Sequence, residues 1–501
     1  MNKNININGE KYLDVSKIKV KDAETEAIHT FLDTEDGDIK SSDVMLGKVG
    51  YGKDGKVIGS YIPQSGEIDG GINFYDQYGA WLTSYSLADL PLSALPEIPA
   101  LDGAGADQYE FAWTMTLEEV NALTEEADIG VDVTAKEGAK TYLLPNHFGF
   151  SGSTGGMYFY GGNEKSTILI DWGDGTANTT LTINPNTRAT TSHSFATKSY
   201  NPITISLTSG GEFYLGGGGS NYNLIATNTG LSKQVIEVRV GKGVKGLTVY
   251  PIASYSALEN ILLHNGLYDI YGTATLFSAY SLKSLNIPKS LKELKVNQIA
   301  YNCYALQHLY IHDGLESSKE IVEGSYALKR FAFPKTYKTF NGIRLFYSCP
   351  ILTKIKFPKT PINCLGDYFY IGSSNSTIEE IDLSNFVAEK YQYMMQGWKQ
   401  LKQVIIPEGV KELNGQCFQE CYNLESVTFP ASLEKITGSS NFYSSYGLKQ
   451  VIFKGTTPPI VSGDIFTNTQ ERFKVYVPQG SLEDYATATN LVKFSGQMIE
   501  Y

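Results

Sequence analysis

The stretch FQECYNLESVTFPASLEKI, residues 418–436, shows a pattern that recurs through the C-terminal half of the chain. Its apolar residues are spaced too irregularly for one amphipathic helix, and Pro430 interrupts it as one long strand. Similar phrases stand at 401–413 (LKQVIIPEGVKEL) and 282–294 (LKSLNIPKSLKEL). The chain therefore repeats one short unit, and such internal repeats are typical of solenoids, propellers and arrays.

The spacing of the repeat follows from the first apolar residue of each phrase. These residues are Leu258, Leu282, Leu306, Leu328, Leu352, Ile378, Leu401, Leu424 and Leu448. The steps between them are 24, 24, 22, 24, 26, 23, 23 and 24 residues, which is the period of a leucine-rich solenoid. We therefore predict a multi-domain, mostly β chain in which small β modules precede a solenoid with one short strand per repeat.

The form of the repeat closely resembles the BspA-like leucine-rich repeat. Each phrase reads L-x-x-apolar-x-I/F-P, then x-x-L/V-x-x-I/L, then F-x-x-C/Y-x-x-L, as in 401–421. The tail at 451–491 resembles the closing element that follows such repeats, although Asn-Leu stands where that element usually carries a tryptophan. The resemblance implies a solenoid at 231–455, a capping element at 456–501 and an adhesive role, which BspA-like repeats often have.

Residues 1–65 form a separate unit in the sequence. The turn sequence KDGK at 53–56, between two short apolar runs, indicates a β-hairpin. The phrase at 44–63 resembles a glycine-rich hairpin module found near the ends of tailed-phage tail and fibre proteins. This resemblance implies that residues 1–65 are a virion-attachment module.

A small α+β module is predicted at 66–140. Its segment 110–126 begins as a strand and ends as a helix, with Thr116 as N-cap and Glu119 at the capping-box position. The order of elements resembles the β-grasp-like repeats of Gram-positive surface and prophage proteins. The resemblance implies that Trp113 packs in the core.

The segment STILIDWGDGTANTTLTI, residues 166–183, marks an all-β unit at 141–230. Alternating isoleucines lead into an Asp-Gly pair, which is a strong hairpin turn. WGDGT with a later His-x-Phe and a Tyr-x-x-x-Ile-x-Ile strand resembles the polycystic-kidney-disease (PKD) type of β-sandwich. In that family Trp172, Asp174 and Gly175 would shape the turn and the core.

We predict no metal ion and no cofactor. An acid–base or metal set of His193 with Asp171 and Asp174 is an alternative, but packing and turn geometry are favoured for these residues. A structural zinc ion would need four ligands, and no second cysteine pair or nearby histidine completes a site at Cys417 and Cys421.

The five cysteines do not form a disulfide framework. Cys303, Cys349 and Cys421 each lie three residues before the leading Leu of a repeat, a slot that Ala and Ser fill elsewhere. We therefore expect buried, inert thiols at these positions. Cys364 and Cys417 lie outside this slot and have no assigned role.

Composition limits the classes of partner. The chain has 501 residues and a net charge of −12, with no basic cluster, so nucleic acid and anionic membranes are poor partners. No stretch approaches the ~20 apolar residues of a membrane span, so we expect no membrane insertion. The first residues lack an apolar h-region, so we expect no export by the usual secretory route.

Alternation along each predicted strand turns the second and fourth residues after the leading apolar one onto the sheet of the solenoid. Solenoids bind on such extended surfaces, and the middle of this one is richest in aromatic and charged groups. The candidate ligand-binding residues are His308, Tyr310, Arg330, Lys354, Lys356, Glu380 and Asp382. The alternative is that the two lysines and the two acids pair across adjacent strands and only support the sheet.

We predict that the chain is not an enzyme. It has no GxSxG or HExxH motif and no nucleophile with an evident base. The paired carboxylates of a glycan depolymerase leave little trace in a sequence. Glu379, Glu380 and Asp382, the dense acidic group of the repeats, are the alternative for such catalysis.

A phage-like hairpin module combined with binding modules favours a virion-associated tail, fibre or receptor-binding protein of a tailed phage or prophage. On this hypothesis the protein belongs to a virion assembled in the host cytoplasm, and residues 1–65 bind other virion proteins. The solenoid would recognise a host cell-surface glycan or protein. A homo-oligomer, a trimer as in many fibres, fits this hypothesis without a heptad stretch to drive it. The alternatives are a bacterial surface adhesin and a structural decoration protein of the virion.

Overall fold

The computed structural model describes residues 67–501 except 147–148, 152–153, 218–223, 225–232, 249–256, 278, 320, 341–345, 366–376, 393–394, 439 and 470–472. Of residues 1–66 it describes the backbone of the strands Asn4–Ile7, Glu10–Leu13, Lys17–Lys21, Ile28–Leu32, Val49–Gly52 and Gly55–Ile58. The last two strands pair antiparallel around the predicted turn. The side chains on which the predicted virion attachment depends lie outside the described residues.

Residues 67–135 form the small module. Its elements are the strands Ile72–Tyr75, Trp81–Tyr85, Tyr109–Trp113, Ala127–Ile129 and Val131–Ala135, the helix Leu117–Asn121 and the 3-10 turns Leu87–Asp89 and Ala106–Gln108. The predicted capping box is confirmed, because the Thr116 hydroxyl accepts from Glu119 N at 3.3 Å and the Glu119 carboxylate accepts from Thr116 N at 2.7 Å. Trp113 packs edge-on against buried Phe74, with ring centroids 5.1 Å apart.

A two-sheet sandwich follows the small module. One sheet contains Thr141–Pro145, Ser166–Asp171, Thr179–Ile183 and Ile203–Gly210; the other contains Thr154–Gly161, Arg188–Ser194 and Phe213–Leu215. Trp172 is fully buried between them, and its indole N–H donates to Thr179 Oγ1 at 2.9 Å. The two-sheet arrangement agrees with the predicted sandwich, whereas its assignment to the PKD type stays a prediction.

Both sheets of the sandwich continue into the solenoid. Thr141–Pro145 pairs antiparallel with Val235–Arg239, which in turn pairs parallel with Asn260–Leu262. Phe213–Leu215 pairs parallel with Val244–Leu247 on the other side. The sandwich therefore closes the N-terminal end of the solenoid through shared sheets, which satisfy backbone groups that an open edge would leave unpaired.

The solenoid is built from two sets of parallel strands. The front strands are Val235–Arg239, Asn260–Leu262, Ser284–Ile287, His308–Ile311, Arg330–Ala332, Lys354–Lys356, Glu380–Ile381, Gln403–Ile405, Ser426–Phe429, Gln450–Phe453, Lys474–Val477 and Met498–Glu500. The back strands are Val244–Leu247, Asp269–Phe277, Glu293–Tyr301, Ser317–Ser318, Val322–Glu323, Thr339–Phe340, Phe346–Tyr347, Ile362–Cys364, Phe386–Val387, Lys390–Gln392, Glu412–Asn414, Lys435–Thr437 and Ile460–Val461. The mostly β fold with a terminal solenoid is thus confirmed.

The core of the solenoid lies between the two sets of strands. The leading apolar residues of the repeats, such as Leu282 and Leu424, are buried in it, because each repeat covers the apolar face of its neighbour. Cys303, Cys349 and Cys421 are also buried, as their slot predicted, and burial raises the pKa of the Cys421 thiol to about 12. A thiol held protonated in this way is a poor nucleophile.

The C-terminal end is closed by a small cap. The helix Leu482–Thr487 and the 3-10 segment Val492–Gln497 lie between the last two front strands in the sequence. Buried Tyr485 packs against Phe453, and its hydroxyl donates to Gly455 O at 2.8 Å. None of the helices in the described part of the chain is long and apolar enough to cross a membrane.

Candidate ligand-binding surface

The front strands turn alternate side chains away from the core, and these outward side chains form the front face. In register they make rows that run across the sheet, such as Ser284–His308, Arg330–Lys354 and Ile405–Thr428–Ile452–Tyr476–Ile499. The front face divides into a covered half, from Glu237 to Lys356, and an open half, from Glu380 to Ile499. The small module makes this division by packing on the first of them.

Direct backbone and side-chain contacts seat the small module on the covered half. The Asn286 amide donates to Gln77 O at 3.3 Å and to Val131 O at 3.0 Å. The Tyr310 hydroxyl donates to Asp128 O at 3.4 Å, and only 9% of Tyr310 is exposed. Val131 and Val133 of the module pack with Leu262 of the front strands in one buried cluster.

Two glycines permit this close approach. A Cβ on Gly79 would lie 2.6 Å from Leu285 O, and a Cβ on Gly130 would lie 2.2 Å from the Tyr310 ring. Gly79 also has a φ of +81°, a conformation that glycine adopts without the strain of a side chain. The small module therefore touches the front strands backbone to backbone.

Ion pairs join an acidic edge of the module to a basic stripe of the front face. Arg330 Nη2 lies 3.2 Å from both carboxylate oxygens of Asp128, and Lys356 Nζ lies 3.3 Å from Glu126. The further pairs are Lys289–Asp132, Lys354–Asp69, Lys354–Glu126, Lys359–Glu125, His308–Glu67 and His312–Asp132. The charges of the covered half are therefore matched within the chain.

A second anchor lies at the N-terminal end of the same interface. Arg239 is 3% exposed and donates to Ala104 O and Asp102 O, both at 2.7 Å. It also donates to Glu237, which accepts a 2.5 Å hydrogen bond from the Tyr78 hydroxyl. Burial and the neighbouring Glu237 carboxylate raise the pKa of Tyr78, so this hydroxyl keeps its proton and remains a donor.

The ionic contacts stabilise the ionised carboxylates of the module. Burial alone would raise the pKa of Asp132, but contacts with His312, Lys289 and Asn265 lower it well below its ordinary value. The pKa of Glu126 is also lowered, since Lys356 and Lys354 outweigh the effect of burial. Both shifts mean that the docked arrangement favours the charged acids.

The structure places the predicted ligand-binding residues in two groups. His308, Tyr310, Arg330, Lys354 and Lys356 lie together under the small module, whereas Glu380 and Asp382 are exposed outside it. The predicted pairing of the lysines with these two acids is wrong, because Lys354 and Lys356 pair with Asp69 and Glu126 instead. Whether any of the seven binds a ligand stays a prediction.

The acidic partners of this interface were missed by the sequence analysis. Apart from Glu67 and Asp69, they cluster in the phrase EEADIGVD at 125–132, which runs into the last two strands of the module. The front face carries a matching series of cations one repeat apart, at Arg330 and Lys354. The sequence therefore shows an acidic segment at 125–132 and cations at Arg330 and Lys354, but it does not indicate that the two are in contact.

The open half has a different character. Its middle row contains Ile405, which is 48% exposed, and Ile499, which is 39% exposed, with Thr428, Ile452 and Tyr476 between them. The neighbouring row is polar and runs Glu380–Gln403–Ser426–Gln450–Lys474. The open half is therefore an apolar row beside a polar row, without the charge density of the covered half.

The predicted carboxylate group at the start of the open half is spread out. Glu379 pairs with Lys402 at 2.5 Å, and Asp382 accepts a hydrogen bond from Ser384 N at 2.9 Å. Within the described part of the chain, no group of three or more His, Cys, Asp or Glu residues is placed to hold a metal ion.

The WGDGT turn of the sandwich is organised around its own hydrogen bonds. Asp174 accepts from the Thr176 hydroxyl at 2.6 Å and lies 2.7 Å from His193 Nε2. The His193 ring stacks on buried Trp172 with centroids 4.5 Å apart, and Asp171 accepts from Gly173 N at 2.9 Å. This geometry is the packing and turn role that was favoured for these residues.

A stack of tyrosines lies where the chain enters successive front strands. Tyr280, Tyr304 and Tyr326 stack with ring centroids 5.0 and 4.9 Å apart, and Tyr422 and Tyr446 stack at 5.9 Å. Each lies two residues before the leading Leu of its repeat, so the repeat alignment contained the signal for this feature.

Comparisons with known proteins agree with the repeat architecture. The BspA type leucine rich repeat region matches in six copies, over residues 235–343 and 342–471. Among curated proteins, none is significantly similar to this chain.

Solved structures that are similar to the chain include the following three. A leucine-rich repeat protein from Bacteroides ovatus ATCC 8483 is 18% identical, covering 54% of this chain and 84% of its own, with a TM-score of 0.28. The pneumococcal vaccine antigen PcpA is 14% identical, covering 53% and 79%, with a TM-score of 0.28. A leucine rich cell surface protein from Faecalibacterium prausnitzii A2-165 is 14% identical, covering 44% and 80%, with a TM-score of 0.19. The family match covers residues 235–471, the same part of the chain that shows the repeat period and the parallel strand register.

Proposed function

We propose that this chain is a bacterial cell-surface recognition protein of the adhesin type, which binds a protein on another cell through the open half of the front face. The observation that carries the proposal is the division of the front face. The charged half is occupied by the small module, and the open half presents an exposed apolar row across consecutive parallel strands. Solenoids bind partners on such extended surfaces, and apolar centres with polar rims are typical of protein interfaces.

The repeat family supports an adhesin over a phage fibre. The BspA-type match covers the open half as far as residue 471. The hypothesis of a virion tail or fibre protein rests on the resemblance of residues 44–63, and neither the contacts described above nor the comparisons add to it. We therefore favour a location on the bacterial cell surface over a location in a virion. Virion partners and a trimeric state belong to the less favoured hypothesis.

The proposal is tested with the full chain carrying a fluorescent label and a panel of bacterial and epithelial cells, read by flow cytometry. We expect selective labelling of some cells. Ile405→Asp should lower that labelling about tenfold, because it places a charge within an apolar contact. The matched control is Ile460→Asp, since Ile460 is 67% exposed but lies on a back strand.

Two results would overturn the proposal. One is the absence of labelling on every cell type. The other is an equal loss with Ile405→Asp and Ile460→Asp, which would mean that the open half has no special part in recognition. Circular dichroism and thermal unfolding of both variants establish that each is folded before binding is compared.

A further inference from the structure

A cavity of about 220 Å³ lies between the small module and the covered half of the front face. Its module side is lined by Glu67, Tyr75 and Met115 among others, and its front-face side by His308, Arg330 and Ala332 among others. An apolar cavity of ~150 Å³ holds a benzene-sized molecule, so this volume accommodates one substituted six-membered ring.

The cavity contains buried polar atoms without a partner among the described residues. Glu67 Oε2 is an acceptor that receives no hydrogen bond, although the side chain is 3% exposed. Arg330 Nη1 is a donor that gives none, while Nη2 of the same group contacts Asp128. Buried polar atoms are nearly always satisfied in folded proteins, so these two indicate a molecule that supplies both a donor and an acceptor.

Two histidines add to this set. His308 Nδ1 lies 3.4 Å from Glu67 and His312 Nδ1 lies 3.3 Å from Asp132, yet among the described residues neither nitrogen has a partner at hydrogen-bond geometry. The His312 side chain is 2% exposed. The cavity thus has polar groups on both its module side and its front-face side, beside aromatic side chains.

The ion pairs around the cavity favour a neutral ligand. Lys289 pairs with Asp132, Arg330 with Asp128, and Lys356 with Glu126. A charged ligand would have to compete with one of these pairs, or remain uncompensated in a partly buried site. Hydroxyl groups carry no charge, and each can both donate and accept.

The rest of the lining suits the carbon face of a sugar. Tyr75, Tyr310, Phe331 and Phe333 contribute aromatic surface to the same cavity, beside Met115. Binding pockets of this kind combine apolar walls with a few convergent polar groups. A pyranose ring has an apolar C–H face and a rim of hydroxyls, which matches both features.

We propose that this cavity binds one neutral pyranose sugar, such as the terminal hexose of a cell-surface glycan. The Arg330 guanidinium donates to a ring or hydroxyl oxygen, and Glu67 accepts from a hydroxyl. The site is separate from the open half of the front face and does not depend on recognition by that surface. It also gives the predicted residues His308 and Arg330 a place in binding that involves both the solenoid and the small module.

The test uses saturation-transfer-difference NMR on the full chain with D-glucose, D-galactose, D-mannose and N-acetyl-D-glucosamine at millimolar concentrations. D-glucuronic acid and D-glucosamine are the charged comparisons. We expect a saturable signal from at least one neutral sugar and a weaker signal from both charged ones. No saturable signal from any neutral sugar, or equal binding of charged sugars, would overturn the proposal and leave the cavity to water.

Variants then place the binding in the cavity. Arg330→Lys keeps the positive charge beside Asp128 but removes the forked donor, and should weaken binding about tenfold. Ala332→Phe fills part of the cavity while the Glu67 and Arg330 residues themselves stay unchanged, and should abolish the signal. Lys359→Ala is the control, because Lys359 pairs with Glu125 outside the cavity lining and should leave binding unchanged.

The controls keep the two proposals distinguishable. Ile405→Asp on the open half should retain sugar binding even where it loses cell labelling. Sugar binding that survives both cavity variants in folded protein would show that the sugar binds elsewhere and would reject the cavity as its site.

Discussion

The covered and open halves of the front face are made by the same repeat, yet they differ in what their outward residues do. In the covered half, cations such as Arg330 and Lys356 meet acids of the small module. In the open half, isoleucines and mostly uncharged polar residues occupy the equivalent rows, with charges only at the two ends of the polar row. The strand geometry turns side chains outward in both halves. The charges of the outward side chains distinguish the half that the small module covers from the half that stays open.

The buried Arg330–Asp128 pair should show the largest effect on this difference. Both side chains are mostly buried, so Asp128→Asn leaves a cation without its partner, and we expect a loss of about 2–4 kcal/mol in the free energy of unfolding of the docked arrangement. Urea denaturation measures it. Glu125→Gln, in an exposed pair with Lys359, is the control and should give no measurable change. Equal effects of the two variants would mean that the ion pairs do not hold the small module.

A pair of glycines tests the close approach of the two backbones. Gly79 and Gly138 both have positive φ, so alanine at either should cost about 1 kcal/mol through backbone strain. Gly79→Ala also meets Leu285 O at 2.6 Å, whereas nothing lies within 4 Å of a Cβ at Gly138. We therefore expect Gly79→Ala to destabilise by about 1–2 kcal/mol more than Gly138→Ala. Hydrogen exchange in 67–135 should rise in the first variant alone; a rise in both would count against backbone contact.

Acid should weaken the covered half before it affects the open half. The folded-state pKa of Asp132 lies below its ordinary 3.8, so the unfolded chain binds more protons in acid. The stabilisation is complete above that ordinary value and is lost as pH falls towards the lower folded pKa. Unfolding measured from about pH 6 to about pH 3 should show the loss, of the order of 1 kcal/mol after solvent screening. Asp132→Asn should flatten the curve; an unchanged slope would remove Asp132 from the explanation.

The exposed edge of the interface should matter least. Lys354 and Asp69 form an ion pair in which Asp69 is largely exposed. Lys354→Ala should therefore change the free energy of unfolding by about 0.5 kcal/mol or less, and added salt should remove even that difference. Urea denaturation at low and high salt measures both values. A loss as large as that of Asp128→Asn would show that the edge, rather than the buried pair, holds the module.

The repeat made most of the fold readable from the sequence. A fixed step between residues such as Leu282 and Leu306 specifies parallel strands in register, because each repeat has to bury the same face. The slot three residues before the leading Leu also predicted the burial of Cys303 and Cys421. These predictions need only the periodicity of the chain. The capping box at Thr116 was predicted in a similarly local way, from residue types three positions apart.

The sequence did not predict in the same way that the small module covers part of the front face. Lys354 and Asp69 are separated by 285 residues, and no periodic signal relates a module to the face it covers. Strand alternation correctly turned Arg330 and Lys356 outward, but an outward position on an isolated strand does not say whether another segment lies on it. The interface needs acids that complement the cations Arg330, Lys354 and Lys356. Many acidic residues of the chain meet this condition as well as those at 125–132.

The sheets shared by the sandwich and the solenoid have a mechanical consequence. No flexible joint separates Thr141–Pro145 from Val235–Arg239, because the two strands are hydrogen-bonded neighbours. Neighbouring strands in a sheet are spaced ~4.8 Å apart, so each repeat extends the molecule by about that length. The number of repeats therefore determines the distance between the C-terminal cap and the sandwich. A chain with one repeat more or less would keep its chemistry and change only its reach.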